Sequence, residues 1–337
     1  MSILIFKSRE DFLKKYEKPK TKKFVITCLN VWDSFLRHMQ TDEKTILSIM
    51  QDEGERYLIL AHMVNYWKRN KSPKTIRDYF SFIKKWLRYN NIKIDDEKIK
   101  DHITFPKKLK ERPVPLDRDK IKMLVENSKP IYKCLWLCLA STGMRVGELL
   151  QITISMIDFR IEPVKITIPA NLTKTGVERI TFLTPEAVRL LKDIIKDKKP
   201  EDRVFSFTYW AANRYMDRLR KRLGLNQRTI NGKWFHTRIH KFRKFTETTI
   251  SNSVESEFAH AIIGHEKDRM EYYETPDMEM AEMYKKAIPR LTISDEQRYK
   301  DKADVLETKL KENDELRKVV MEQAKRIKRL EDLNRRF

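Results

Sequence analysis

VKITIPANLTKTGVERITFLT, residues 164–184, holds two β-branched runs, VKITIP at 164–169 and RITFLT at 179–184, separated by ANLTKTGVE. Short β-branched runs flanked by turn residues read as paired strands, with Gly176 at the turn and Lys174 at the hairpin tip. Outward from this hairpin the chain reads as helix. IYKCLWLCLAST at 131–142 is apolar on nearly every side, as in a helix sunk in a core, and Asp117 opens a helix before it. On the other side, Pro185 to Lys196 is helical, Ala212, Met216, Leu219 and Leu223 form one stripe ended by Gly224, and 239–263 is again helical. The expected class is therefore mainly α with a small antiparallel sheet.

Phe24 to Lys93 is also helical in pattern, most clearly where Ser72 and Pro73 open a helix carrying Ile76, Phe80, Ile83 and Leu87 on one face. Lys74, Arg77, Lys84, Lys85 and Arg88 occupy the rest of that helix. They could track a phosphate backbone or simply be solvated. TFPKKLKERPVPL at 104–116 has three prolines and no helical period, which marks a linker. The expected division is a helical domain at 1–106, a linker at 107–116, a second domain at 117–293 and a charged helical tail at 294–337. Leu306, Leu310, Leu316, Val320, Ile327 and Leu330 give that tail an imperfect heptad-like seam, a possible coiled coil.

The 337 residues carry 71 Lys+Arg against 49 Asp+Glu, a net charge of +22, which points to a polyanionic partner, nucleic acid first. Glycine occurs only seven times, and neither GxGxxG nor GxxxxGK[ST] is present, so nucleotide cradles have no support. Cys28, Cys134 and Cys138 form no CxxC and suggest neither a disulfide framework nor a zinc site. MSILIFKSRE lacks the marks of a signal peptide and no apolar run reaches bilayer length, so a cytoplasmic chain with no membrane partner is expected.

Four separated segments complete the reading: STGMRVGELL at 141–150, LTKTGVERI at 172–180, HKFRKF at 240–245 and IIGHEKDRMEYYETP at 262–276. Together, in the order Arg, Lys, His-x-x-Arg, Gly-His, Tyr, they resemble the tyrosine recombinase (phage-type integrase) family over about 113–292. YKKAIPRLTIS, which follows, is similar to archaeal members. The resemblance implies a two-domain DNA clamp, a helical core-binding domain plus a catalytic domain, acting in integration or excision of a mobile element. It implies double-stranded DNA as partner, a homo-oligomer, a tetramer on paired sites, and no cofactor, metal or small-molecule substrate.

The implied site is Arg145, Lys174, His240, Arg243, His265 and Tyr273. Two guanidinium forks suit the charge that develops on two non-bridging phosphate oxygens. A tyrosine hydroxyl can conserve the bond energy as a 3′-phosphotyrosine, so rejoining needs no ATP. Lys174 is the expected general acid to the leaving 5′-oxygen, and the histidines assist proton handling. Glu148, three residues after Arg145, could orient that guanidinium. Tyr272 and Tyr273 are adjacent, and Tyr273 lies nearer the family's spacing from the Gly-His pair.

Each piece alone has a simpler reading. Arg145 is then a helix-end surface arginine, Lys174 a solvated turn lysine, and His240 with Arg243 a basic face on a helix. His236 and His240 lack the Glu of HExxH, and His260 and His265, five apart, do not share a helix face. Order and context favour the joint reading. Its competitors are type IB topoisomerase-like relaxation and a non-catalytic architectural DNA-binding protein.

Overall fold

A computed structural model describes residues 7–109, 111–230, 234–265 and 275–334. The chain divides into two compact units, Met1–Glu111 and Arg112–Phe337. The described residues on either side of that division, 103–109 and 111–117, carry no regular element, within the proline-rich stretch.

The first unit is helical: α1 (Arg9–Lys14), α2 (Pro19–His38), α3 (Glu43–Ile49), α4 (Glu53–Lys68), α5 (Pro73–Tyr89) and α6 (Asp96–His102). The side chains of Ser8, Asp42, Asp52, Ser72 and Asp95 accept backbone N–H groups at five of the six helix starts. The apolar stripe of α5 buries Ile76, Phe80, Ile83 and Leu87 among Trp32, Phe35, Tyr57 and Trp67. Its basic residues are partly compensated. Lys74 pairs with Asp78, Lys84 with Asp96, and Arg77 stacks over Phe105, so the helix is in part an ordinary ion-paired surface.

The second unit contains α7 (Arg118–Glu126), α8 (Pro130–Thr142), α9 (Val146–Leu149), β1 (Ile157–Asp158), β2 (Lys165–Ile168) and β3 (Arg179–Phe182). It continues with α10 (Pro185–Ile195), α11 (Tyr209–Arg222), α12 (His240–Ser251), α13 (Ser256–Ile263), α14 (Asp277–Lys285), α15 (Ile288–Leu291) and α16 (Asp295–Asn334). The sheet runs β1-β2-β3, antiparallel throughout, with Ile157 opposite Ile166 and Ile166 opposite Thr181. The hairpin is thus as the sequence implies, and β1 adds a strand too short to announce itself. The segment 239–263 is two helices rather than one, broken at 252–255.

Helix α8 is the spine of this unit, buried from Cys134 to Thr142 and packed against α7, α10, α12 and β3. Burying a helix on every side requires the absence of charge that residues 134–142 show. Cys134 and Cys138 are free, buried thiols. The unit's other cluster joins Phe182, Ile250, Phe258 and Tyr284, and the Tyr284 hydroxyl donates to the Ser141 carbonyl at 2.9 Å.

The base of α16 is pinned. Glu186, itself buried, accepts the N–H groups of Ile293 and Ser294 at 2.6 and 2.9 Å, while Lys122 and Arg118 hold Asp295. Those two cations lower the Asp295 carboxyl to about 2. Beyond that base Leu306, Leu310, Leu316, Val320 and Ile327 are exposed. The Leu330 side chain lies outside the described residues.

Candidate active site

The site begins where α8 stops. Gly143 takes the left-handed conformation, φ 59°, and a Cβ there would fall 2.7 Å from Ile263. Glycine alone meets both demands without strain. The chain then extends through Arg145, the N-cap of α9. Glu148 accepts the Arg145 backbone N–H at 3.1 Å and its Nη1 at 2.8 Å, so one carboxylate holds both the N-cap N–H and the guanidinium.

Glu148 does more than orient Arg145. Its carboxylate, 3% exposed, also accepts from Arg179 Nη2 at 2.6 Å. Arg179 opens β3 and is buried too, and its Nε donates to the Ile262 carbonyl at 3.3 Å. Burial opposes ionisation of Glu148, but Arg179 and Arg145 outweigh it and hold the carboxyl below its ordinary value.

Arg243 enters from the first turn of α12 and is 5% exposed. Its Nη1 donates to the carbonyls of Gly143, at 3.0 Å, and Ile263. Its Nη2 is buried with no hydrogen-bond partner among the described residues. Burial, then the charges of Arg145 and Arg179, lower this guanidinium to about 9, still cationic at neutral pH. A buried donor aimed at nothing costs on the order of 1–3 kcal/mol, more if charged, and so signals a missing acceptor.

His240, the first residue of α12, is exposed. Partial desolvation, then the positive charges of Arg243, Arg238, Arg145 and Lys241, lower its imidazole from the ordinary value. His265 follows Gly264, which caps α13 in the left-handed region at φ 77°. A Cβ on Gly264 would meet the Arg179 side chain at 2.9 Å. His265 is also lowered, by desolvation first, with Glu247 opposing and Arg243 reinforcing.

The structure therefore brings Arg145, Arg243, His240 and His265 into one electrostatic neighbourhood. Lys174 lies exposed on the β2–β3 connection, between strands that end at Ile168 and begin at Arg179, and makes no hydrogen bond or ion pair among the described residues. Thr173 shapes that connection, donating to the Ala170 carbonyl and accepting from the Val177 N–H, both at 3.0 Å. Tyr272 and Tyr273 lie outside the described residues.

One feature differs from the sequence expectation. His260 and His265 do meet, with ring centroids 5.2 Å apart, because Gly264 reverses the chain and the His265 N–H returns to the His260 carbonyl at 2.9 Å. Helical phase was the wrong guide across a left-handed cap. Arg179 escaped the sequence reading altogether. A charged residue opening a β-branched strand gives no sign that it will be buried against a carboxylate 31 positions away.

Residues 114–279 match the phage integrase family. Tyrosine recombinase XerA of Saccharolobus solfataricus is 32% identical over 162 residues, 48% of this chain and 52% of that protein, so the match spans about half that relative's length. A lambda integrase dimer bound to a COC′ core site superposes with a TM-score of 0.56 at 18% identity, over 80% of this chain and 96% of that one. A lambda integrase tetramer bound to a Holliday junction gives 0.55 at 19%, over 77% and 76%. At these identities the structural likeness is one of fold, mostly helical with the small antiparallel sheet.

Proposed function

We propose that this chain, whose residues 114–279 belong to the phage integrase family, is a site-specific recombinase that cuts and rejoins DNA through a 3′-phosphotyrosine intermediate. The observation that carries the reading is the Nη2 of Arg243, buried beside Arg145 with no hydrogen-bond partner among the described residues. A phosphodiester's non-bridging oxygen would give this donor an acceptor, and Arg145 would take the second oxygen. Positioned donors of this kind act on charge as it develops in the transition state, where they count most.

Tyr273 Oη would attack phosphorus, forming the phosphotyrosine as the bond to the 5′-oxygen breaks. Lys174, on its exposed connection, would swing in to protonate that oxygen. His240 and His265, both biased toward the neutral form, would accept or relay the tyrosine proton. Attack by a different 5′-hydroxyl reverses the chemistry and joins new partners, conserving one phosphate ester at each step. The surplus of 71 cations over 49 anions gives the phosphate backbone its salt-dependent grip. Since one active site cleaves one strand, the working form would be several copies on paired DNA sites, as in the lambda integrase tetramer.

A nicked suicide DNA, from which the severed end diffuses away, tests this. The wild type should form a covalent protein–DNA adduct, Tyr273→Phe should form none, and Tyr272→Phe should retain it. Absence of an adduct with wild type would overturn the catalytic reading in favour of an architectural one. Loss with Tyr272→Phe alone would move the nucleophile by one residue. Relaxation of plasmid without strand exchange would make the enzyme topoisomerase-like.

A further inference from the structure

Glu247, His260 and His265 form a cluster outside the phosphate clamp. Glu247 lies on α12, one turn beyond Arg243, and His260 lies in the last turn of α13, which packs against it. His265 is brought over His260 by the left-handed Gly264. One donor atom from each residue lies within 4.8 Å of the other two, and His260 Nε2 stands 3.7 Å from Glu247 Oε1.

We propose that these three residues form a regulatory site for a divalent transition metal such as zinc, and that metal capture of His265 inhibits the cleavage step. Two imidazoles and a carboxylate, with water in the fourth position, are a donor set that zinc accepts. Zinc–ligand lengths of about 2.0–2.2 Å put tetrahedral donors roughly 3.3 Å apart, so the widest spacing in the cluster must contract by up to about 1.5 Å. His260 and His265 sit at the end of one helix and just past its cap, where small side-chain rotations accomplish this. Glu247 is already paired with Lys244 at 2.9 Å, but the Lys244 side chain is 65% exposed and can turn into solvent. The metal would replace that lysine as the carboxylate's counter-charge. His265 with its lone pair on a metal can no longer accept a proton.

The binding half of this inference stands on the cluster alone. The inhibitory half rests on the reading of His265 as part of the transfer chemistry. Full-length, chelator-stripped protein should bind one equivalent of zinc, and cobalt(II) should give the visible d–d absorption of a four-coordinate site. Both should be lost in His260→Ala and weakened in Glu247→Gln, by more than the roughly tenfold to hundredfold that removal of an outer-shell partner costs. Unchanged melting of the apo variants separates ligand loss from misfolding. Zinc should suppress adduct formation by wild type, EDTA should restore it, and His260→Ala should be insensitive to the metal. Equal zinc binding by wild type and His260→Ala overturns the site. Wild-type zinc binding with undiminished adduct formation overturns the regulation. An enzyme that forms no adduct under any metal condition instead fails the recombinase reading, while the binding arm still decides the site.

Discussion

Arg179 and Glu148 meet at 2.6 Å, both almost wholly buried, and the same carboxylate holds Arg145 at 2.8 Å. One anion therefore orders two of the three guanidinium groups around the clamp. Removing one partner of a buried pair strands the other charge and costs about 3–5 kcal/mol. Glu148→Ala should lose stability on that scale in urea titration, and Glu148→Gln less, because its amide oxygen still accepts.

Arg243→Lys keeps the charge but removes the fork that spans Gly143, Ile263 and the unpartnered position. The rate of adduct formation should fall about 10²–10³-fold, equivalent to roughly 2.7–4 kcal/mol. DNA affinity in a filter or mobility assay should change little, since many other cations carry it. Arg145→Ala should behave alike. Loss of all binding in either variant would mark a purely architectural role.

Lys174 can be tested apart from the clamp. Lys174→Ala should slow cleavage of ordinary DNA by about 10²–10⁴-fold. A scissile linkage with sulfur in place of the bridging 5′-oxygen needs no proton on departure, and should restore the rate. A lysine that only contacted phosphate would show no such recovery.

His240 and His265 both titrate below the ordinary imidazole value of 6.5. In the window that opens near 6.5 and extends down to the lowered values, the unfolded chain holds more protons than the folded one. Stability should therefore fall as pH falls through that window, and be fully present above it. Urea titrations between about pH 5 and pH 8 should show a shallower slope for His240→Asn and for His265→Asn than for wild type.

Gly176 and Gly264 both hold positive φ, at 73° and 77°, yet their surroundings differ. Nothing lies within 4 Å of a Cβ at Gly176, whereas at Gly264 the Arg179 side chain lies at 2.9 Å. Gly176→Ala should cost only the left-handed backbone term, about 1–2 kcal/mol. Gly264→Ala should cost more and also slow cleavage, by displacing Arg179 from Glu148. Paired unfolding and adduct assays check both.

The parts of this molecule legible in the sequence are those whose cause is local. The β2–β3 hairpin, the all-round apolar α8 and the Ser72–Pro73 start of α5 follow from periodicity and capping within a few residues. So does the Arg145–Glu148 pairing, whose partners stand three positions apart at a helix start. What escaped depends on distant elements meeting. Arg179 reaches Ile262 across 83 positions, and only the assembled unit shows that Gly264 is small to admit it. His260 and His265 were placed apart by helical phase, which ceases to apply once the backbone turns left-handed. The two-residue β1 lacks the length to generate a pattern.

The crowding of Arg145 and Arg179 around Arg243 has an energetic consequence. Burial first, then each of these neighbours, makes the Arg243 charge harder to keep, with Glu148 and Glu247 opposing them. A bound anion, the singly charged phosphodiester included, would relieve that repulsion. Affinity for the scissile phosphate and thermal stability of the unit are then two readings of one quantity, and sulfate alone should raise the melting temperature of wild type more than that of Arg243→Ala.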